Sequence, residues 1–205
     1  MLGDVNGKWH KCLPYVFMLV AALSRWPGLF PPNFSAFYGL AFCAGAFFPR
    51  HVKWWLPLGT LVATDIALSF YYRSVSPMQL VNYVAFALII LLGTRFNQRS
   101  RFLGLLAGGM LGAILFYLIT NTASWLSNPA YTKDLSGWII ALTKGTSGYP
   151  TTIEFFRNTL LSGGLFTALF AGALKLTEAP EPAPEGEPAP AEEPDGEAAP
   201  EEAKT

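Results

Sequence analysis

Apolar residues gather into six runs along this chain, each closed by proline, glycine or basic residues and none broken by a regular polar position. The first runs from Leu13 to Leu23 and ends in Ser24-Arg25-Trp26-Pro27-Gly28, after which Pro31-Pro32-Asn33 forbids continuous helix. The second, Ala36 to Phe48, is also short and closes at Pro49-Arg50-His51. The third, Trp54 to Tyr72, has full spanning length, and the fourth, Leu80 to Thr94, leads into Arg95, Arg99 and Arg101. Phe102 to Ile119 is the fifth, and Ile153 to Leu176, which opens with Glu154 and Arg157, is the sixth. Lipid offers a bare backbone no hydrogen bonds, so runs approaching the ~20 residues of a span must be helices or the strands of a closed barrel. None of these runs alternates polar and apolar residues, which excludes the barrel. The pattern therefore predicts an all-α membrane fold, a bundle of about six transmembrane helices. Trp9 and Trp26 would mark the interfaces of the first span.

Between the fifth and sixth runs, Thr120 to Thr152 is too polar, and too broken by Asn128-Pro129 and Gly148-Tyr149-Pro150, to cross a bilayer. Gly137 to Leu142 within it predicts one short interfacial helix, and a connection of that length is usually functional or disordered. From Thr177 the chain turns to Glu, Pro and Ala (Glu178-Ala179-Pro180-Glu181-Pro182), which cannot bury enough apolar surface to offset chain entropy. Two units follow: a six-helix membrane domain over 1–176 and a disordered acidic tail over 177–205.

Composition sharpens this picture in one respect. Of 205 residues 52% are hydrophobic and 14% charged, and the formal net charge of zero hides an acidic tail and a basic membrane part. Lys8, Lys11, Arg50, Lys53, Arg95, Arg99, Arg101 and Lys175 would lie on one side of the bilayer, and Arg25, Arg73, Lys133, Lys144 and Arg157 on the other. The larger group belongs inside, which predicts a multi-pass protein of the cytoplasmic (inner) membrane with both termini cytoplasmic. Lys8 and Lys11 before a short apolar run also suit a signal peptide, but the run ends in Arg25-Trp26-Pro27 and is expected to stay attached. Cys12 and Cys43 have no paired spacing and are expected to be small helix-packing residues.

Asp65 is the most informative single residue, because an ionisable group in mid-span must face protein, water or a partner. It suits a ligand or proton contact, or a packing carboxylate hydrogen-bonded to Thr, Asn or Tyr of another helix; both readings point it into the bundle. Gly104, Gly108 and Gly112, with Gly109, leave one face of the fifth run almost bare backbone. Ser35, Gly39 and Cys43, joined by Ala41 and Gly45, make a second small-residue row. Either row would serve packing within the chain or against a partner subunit. Where the spans stop on the outer side, Asn33, Phe34, Tyr117, Thr120, Asn121, Trp125, Tyr131 and Asn158 supply the aromatic walls and few polar groups of a small-molecule pocket. Interfacial belts and helix caps use the same residues. His10 and His51 flank basic residues, and no nucleophile elbow, zinc-protease motif or phosphate loop occurs, so neither enzymatic activity, cofactor, metal nor nucleic-acid partner is expected.

The stretch Pro32-Asn33-Phe34-Ser35, Ala44-Gly45-Ala46-Phe47-Phe48, Pro57-Leu58 and Thr64-Asp65 resembles an uncharacterised family of small six-helix bacterial membrane proteins. The likeness continues through Phe116-Tyr117, Thr120-Asn121 and Trp125-Leu126, then Tyr131, Gly137 and Phe155-Phe156-Arg157-Asn158-Thr159-Leu160, and covers about residues 10–176. That family is similar in turn to the substrate-binding components of energy-coupling-factor vitamin transporters. This second resemblance implies outside capture of a vitamin-like molecule, with a separate membrane coupling subunit and ATPases as partners. Asn33, Asp65, Asn121, Trp125 and Asn158 would hold the ligand, with Tyr117 stacking and the 120–152 loop closing over it. Segment one departs from the resemblance, since only Ala21, Ala22 and Ser24 offer small docking surfaces there. The alternative is a non-catalytic assembly subunit of a larger membrane complex, using the glycine rows as contact surfaces.

Overall fold

The computed structural model describes residues 2–177, in which seven α-helices and no strand occur. They are α1 (Leu2–Ser24), α2 (Phe37–Phe47), α3 (Trp55–Tyr72), α4 (Met78–Gly93), α5 (Phe102–Ser127), α6 (Leu135–Thr143) and α7 (Thr152–Leu176). All six predicted runs are helical, and the short helix expected over 137–142 is α6. The tail expected over 177–205 lies outside the described residues except for Thr177, whose N–H caps the end of α7. The side chains of Lys8, Trp9 and Lys11 also lie outside them.

Two boundaries differ from the sequence reading. α1 begins eleven residues before Leu13 and carries Pro14 inside it. α5 continues past Ile119 to Ser127, because Thr120 and Ser127 return their hydroxyls to carbonyls one turn back, at 2.9 Å each, and so lose little by staying helical in an apolar setting. The connection before α7 is correspondingly shorter than the expected 120–152 loop. α7 starts sharply at a capping box, with Glu154 accepting from the Thr151 N–H at 3.2 Å.

α2 is the hub, packed against α1, α3, α4, α5 and α7. It has room for so many neighbours because small residues line it. A Cβ on Gly39 would meet the Phe166 carbonyl carbon at 2.6 Å, and one on Gly45 would strike the carbonyl of Ile90. Gly108 accepts the Phe42 ring, Gly109 the Thr167 side chain and Gly112 the Ile89 side chain. These glycines bring helices of one chain together; Gly104 has nothing within 4 Å. Cys43 is buried in this core, whereas Cys12 is exposed rather than packed.

The surface inverts the usual distribution. Val62, Ile66 and Phe70 of α3, Val84, Leu88 and Leu91 of α4, and Leu161, Leu165 and Leu169 of α7 face outward, while Asp65, Asn158, Thr159, Ser162 and Thr167 are buried. Among the described residues, α5 and α7 are long and apolar enough to cross a membrane by length and composition alone. α7 runs antiparallel to α5, with Phe156 beside Tyr117, Gly163 beside Ala113 and Thr167 beside Gly109. One end of the bundle carries Arg25, Asn158 and α6; the other joins Lys175 to the Gln98 carbonyl at 2.6 Å.

Candidate binding site

At the Arg25 end, Nη2 of Arg25 donates to Oδ1 of Asp65. Asp65 sits on α3 and is 4% exposed, pointing into the bundle as the sequence requires. Its hydrogen-bonded ion-pair partner is an arginine 40 positions earlier, at the exit from α1, a partner the sequence reading did not name, and Tyr83 of α4 interacts with the carboxylate as well. A buried carboxylate is costly unless a cation offsets it. The guanidinium also lies 5.4 Å from the Phe37 ring centroid, within cation–π reach. Oδ2 of Asp65 has no hydrogen-bond partner, and Tyr83 on α4 lies within electrostatic reach of the carboxylate.

Arg25 forms part of the wall of a cavity of about 370 Å³, within the size range of small-molecule sites. Its floor is aromatic: Tyr38, Phe86 and Phe116 come together with centroids 5.7, 5.0 and 4.9 Å apart. Its roof is the connection over 25–36. Gly28 and Asn33 adopt left-handed backbone there (φ 81° and 62°), which glycine and asparagine tolerate best. Three ties hold the roof. Ser24 donates to the Ala21 carbonyl at 2.7 Å and accepts from the Ala36 N–H at 2.9 Å, stitching α1 to α2. Asn158 donates to the Pro32 carbonyl at 3.0 Å, and Tyr38 to that of Asn33 at 3.3 Å.

Behind the ion pair lies a second cavity of about 380 Å³ between α3 and α4, with Asp65, Ser69, Gln79 and Tyr83 in its wall. Gln79 donates to Ser69 there at 3.2 Å. Arg25 lines only the first cavity and Asp65 only the second, so the pair stands in the partition between them.

The residues predicted for one site are thus distributed. Asn33 lines the first cavity, Asn158 anchors its roof, and Asp65 reaches it through Arg25. Tyr117, Thr120, Asn121 and Trp125 line neither cavity; Tyr117 and Trp125 strap the α6 segment to α5, while Thr120 and Asn121 bond within α5. Tyr117 donates to the Leu142 carbonyl and packs on Phe156 with centroids 4.6 Å apart. Thr120 and Asn121 bond back to Phe116 and Tyr117 at 2.9 and 2.8 Å, and Trp125 Nε1 donates to the Thr132 carbonyl at 2.8 Å. Lys133 closes the strap on the carbonyls of Trp125 and Asn128, and Trp138 donates to Thr122 at 3.0 Å. Asp134 caps α6 by accepting from the Gly137 N–H at 2.7 Å; that bond, then the one from Thr132, holds its carboxyl below the usual aspartate range. In this structure the segment packs as a buttress on α5 and α7 and does not line the first cavity.

Sequence reasoning passed over Arg25, Tyr38, Asn82, Phe86 and Phe116 as cavity residues. The one available signal was a cation set directly between an apolar run and a proline-rich turn. Among the described residues no three of His, Cys, Asp or Glu come together as metal ligands.

Neither a curated protein nor a solved structure matches the chain. A family profile matches residues 6–184, a span that takes in the ion pair, both cavities and the buttress. The chain belongs to that family, DUF6580, described as a family of unknown function.

Proposed function

We propose that this is a multi-pass membrane protein that captures a small molecule from outside in the roofed cavity at its Arg25 end. In this reading α1–α5 and α7 cross the bilayer, α6 lies at the outer interface, and the Lys175 end, richer in Lys and Arg, faces the cytoplasm. The inverted surface supports it. Apolar rows on the outer faces of α1, α3, α4, α5 and α7 would be stranded in water and are at home in lipid. α2, only 11 residues long, rises roughly 16 Å, about half of the hydrocarbon thickness, and reaches across only together with the connections at its two ends, which protein shields from lipid.

The observation that carries the capture reading is the cavity itself. An aromatic floor supplies apolar area, while Asn33, Asn82, Ser24 and Arg25 supply orientation. The role is non-catalytic, and any energy for uptake comes from a separate coupling subunit with its ATPases. Native mass spectrometry of the chain, extracted gently from its own membrane, tests this. A reproducible small-mass adduct that disappears in Ser35→Trp, which fills the cavity, is the expected result. A bare chain in both proteins, found only with other subunits, would favour assembly.

One observation favours that second reading. Gly59, Ala63 and Ala67 form an outward small-residue row on α3, and Gly59 has nothing within 4 Å, as a helix awaiting a neighbour would.

A further inference from the structure

We propose that the occupant of the first cavity is an anion: a small molecule with one carboxylate or comparable acidic group on an apolar, ring-sized body. This rests on the capture reading and adds the class of ligand. The Arg25–Asp65 pair is neutral as a whole, but it is set across the partition, with its positive end to the first cavity and its negative end to the second. No Asp or Glu lines the first cavity, so nothing there offsets that positive end.

Arg25 also has donors to spare. A guanidinium carries five N–H groups in a fork suited to bidentate carboxylate binding. The bond to Asp65 is made by Nη2 alone, to one oxygen. None of the remaining Arg25 nitrogens is sealed in the protein without a partner, and the side chain keeps 20% of its surface open. The unused edge of the fork therefore faces free space.

The second contribution comes from α2. Ser35, Phe37 and Tyr38 bring its N-terminal end to the cavity wall, and its first turn has no acidic residue; the N–H groups of Ala36 and Phe37 are taken by uncharged hydroxyls, those of Ser24 at 2.9 Å and Ser35 at 3.2 Å. The positive end of the helix dipole is left without a protein counter-charge. A neutral ligand would shut the spare Arg25 donors away from water unpaired, and a cation would be repelled by Arg25. An anion answers both, while the rings of Tyr38, Phe86 and Phe116 take its apolar body. Asp65 is a positioning residue in this scheme. It keeps the guanidinium at the partition when the cavity is empty.

The test compares 2-naphthoate with 2-naphthamide, the same body with and without charge, by equilibrium dialysis against the full chain in phosphatidylcholine nanodiscs. The protein is first freed of any endogenous adduct. The acid should bind at least ~10-fold more tightly than the amide. Arg25→Gln alone leaves Asp65 unpaired and can unfold the protein, so the informative variant is Arg25→Gln with Asp65→Asn, which removes both charges and keeps both shapes. It should bind acid and amide alike. Equal binding of the two probes by the unaltered chain overturns the anion inference and leaves capture standing. A preference for the acid that survives the double substitution overturns the assignment to Arg25. Binding of neither probe counts against capture as well.

Discussion

α2 and α3 are both apolar helices, yet the bundle uses them in opposite ways. Nine of the eleven residues of α2 are buried, against four of the eighteen of α3. α2 meets its neighbours through backbone, because Gly39 and Gly45 let Phe166 and Gly93 come close enough that no Cβ would fit. α3 turns Val62, Ile66 and Phe70 outward and makes its main inward commitment through Asp65. Hydropathy alone does not separate an encased helix from one that turns a face outward. Glycines at the contact points mark the first, and a single inward charge marks the second. The second cavity lies along the edge between α3 and α4, whereas the first opens between the start of the hub helix α2 and residues of α3, α4 and α5.

The comparison breaks most readily at the ion pair. Asp65→Leu leaves Arg25 largely buried without its counter-charge and should cost about 3–5 kcal/mol, read as a lower midpoint of thermal or denaturant unfolding in detergent. Adding Arg25→Leu should recover most of that loss; a double variant as unstable as the single one would show that the pair is not what fixes α3. Next in size is the hub. Gly39→Ala should cost about 1–3 kcal/mol, since its Cβ meets backbone of Phe166 and Thr167 within 2.8 Å, whereas Gly59→Ala on α3 should be stabilising by up to about 1 kcal/mol. Equal effects at the two glycines would mean that the contrast between the helices is wrong. Phe70→Ala, at a side chain 80% exposed, should shift detergent stability by no more than about 0.5 kcal/mol.

The smallest expected effect lies in the buttress. The Asp134 carboxyl titrates lower in the folded chain than unfolded, so its contribution is present above the ordinary aspartate pKa and is lost as pH falls through the folded value. Hydrogen exchange of the α6 amides should therefore quicken selectively, relative to α5, only in that acid window. In Asp134→Asn the selectivity should vanish.

Much of the fold was legible in the chain and less of the site. Long apolar runs ending at Pro27, Pro49 and Arg95 define helices because proline and charge stop them by local means. The extension of α5 to Ser127 was hidden, since Thr120, Asn121 and Ser127 look like loop residues until their side chains satisfy their own helix. The glycine rows announced close packing but not its partners, which lie on α2, α4 and α7. Asp65 announced a buried need but not Arg25, because a partner 40 residues away is set by how α1 and α3 cross. Trp125 and Tyr117 suggested a pocket for a sound reason, their mixed polar and apolar character, which serves equally to hold α6 in place.

Everything proposed for this chain rests on its apolar exterior meeting lipid. Spin labels placed singly at Val84, Leu88, Leu161, Leu165 and Leu169 in liposome-reconstituted protein address that directly, through relaxation by molecular oxygen against relaxation by a water-soluble nickel chelate. The account predicts strong oxygen and weak chelate effects at all five positions, on both α4 and α7. Strong chelate effects along either helix would show that face in water and contradict the membrane bundle.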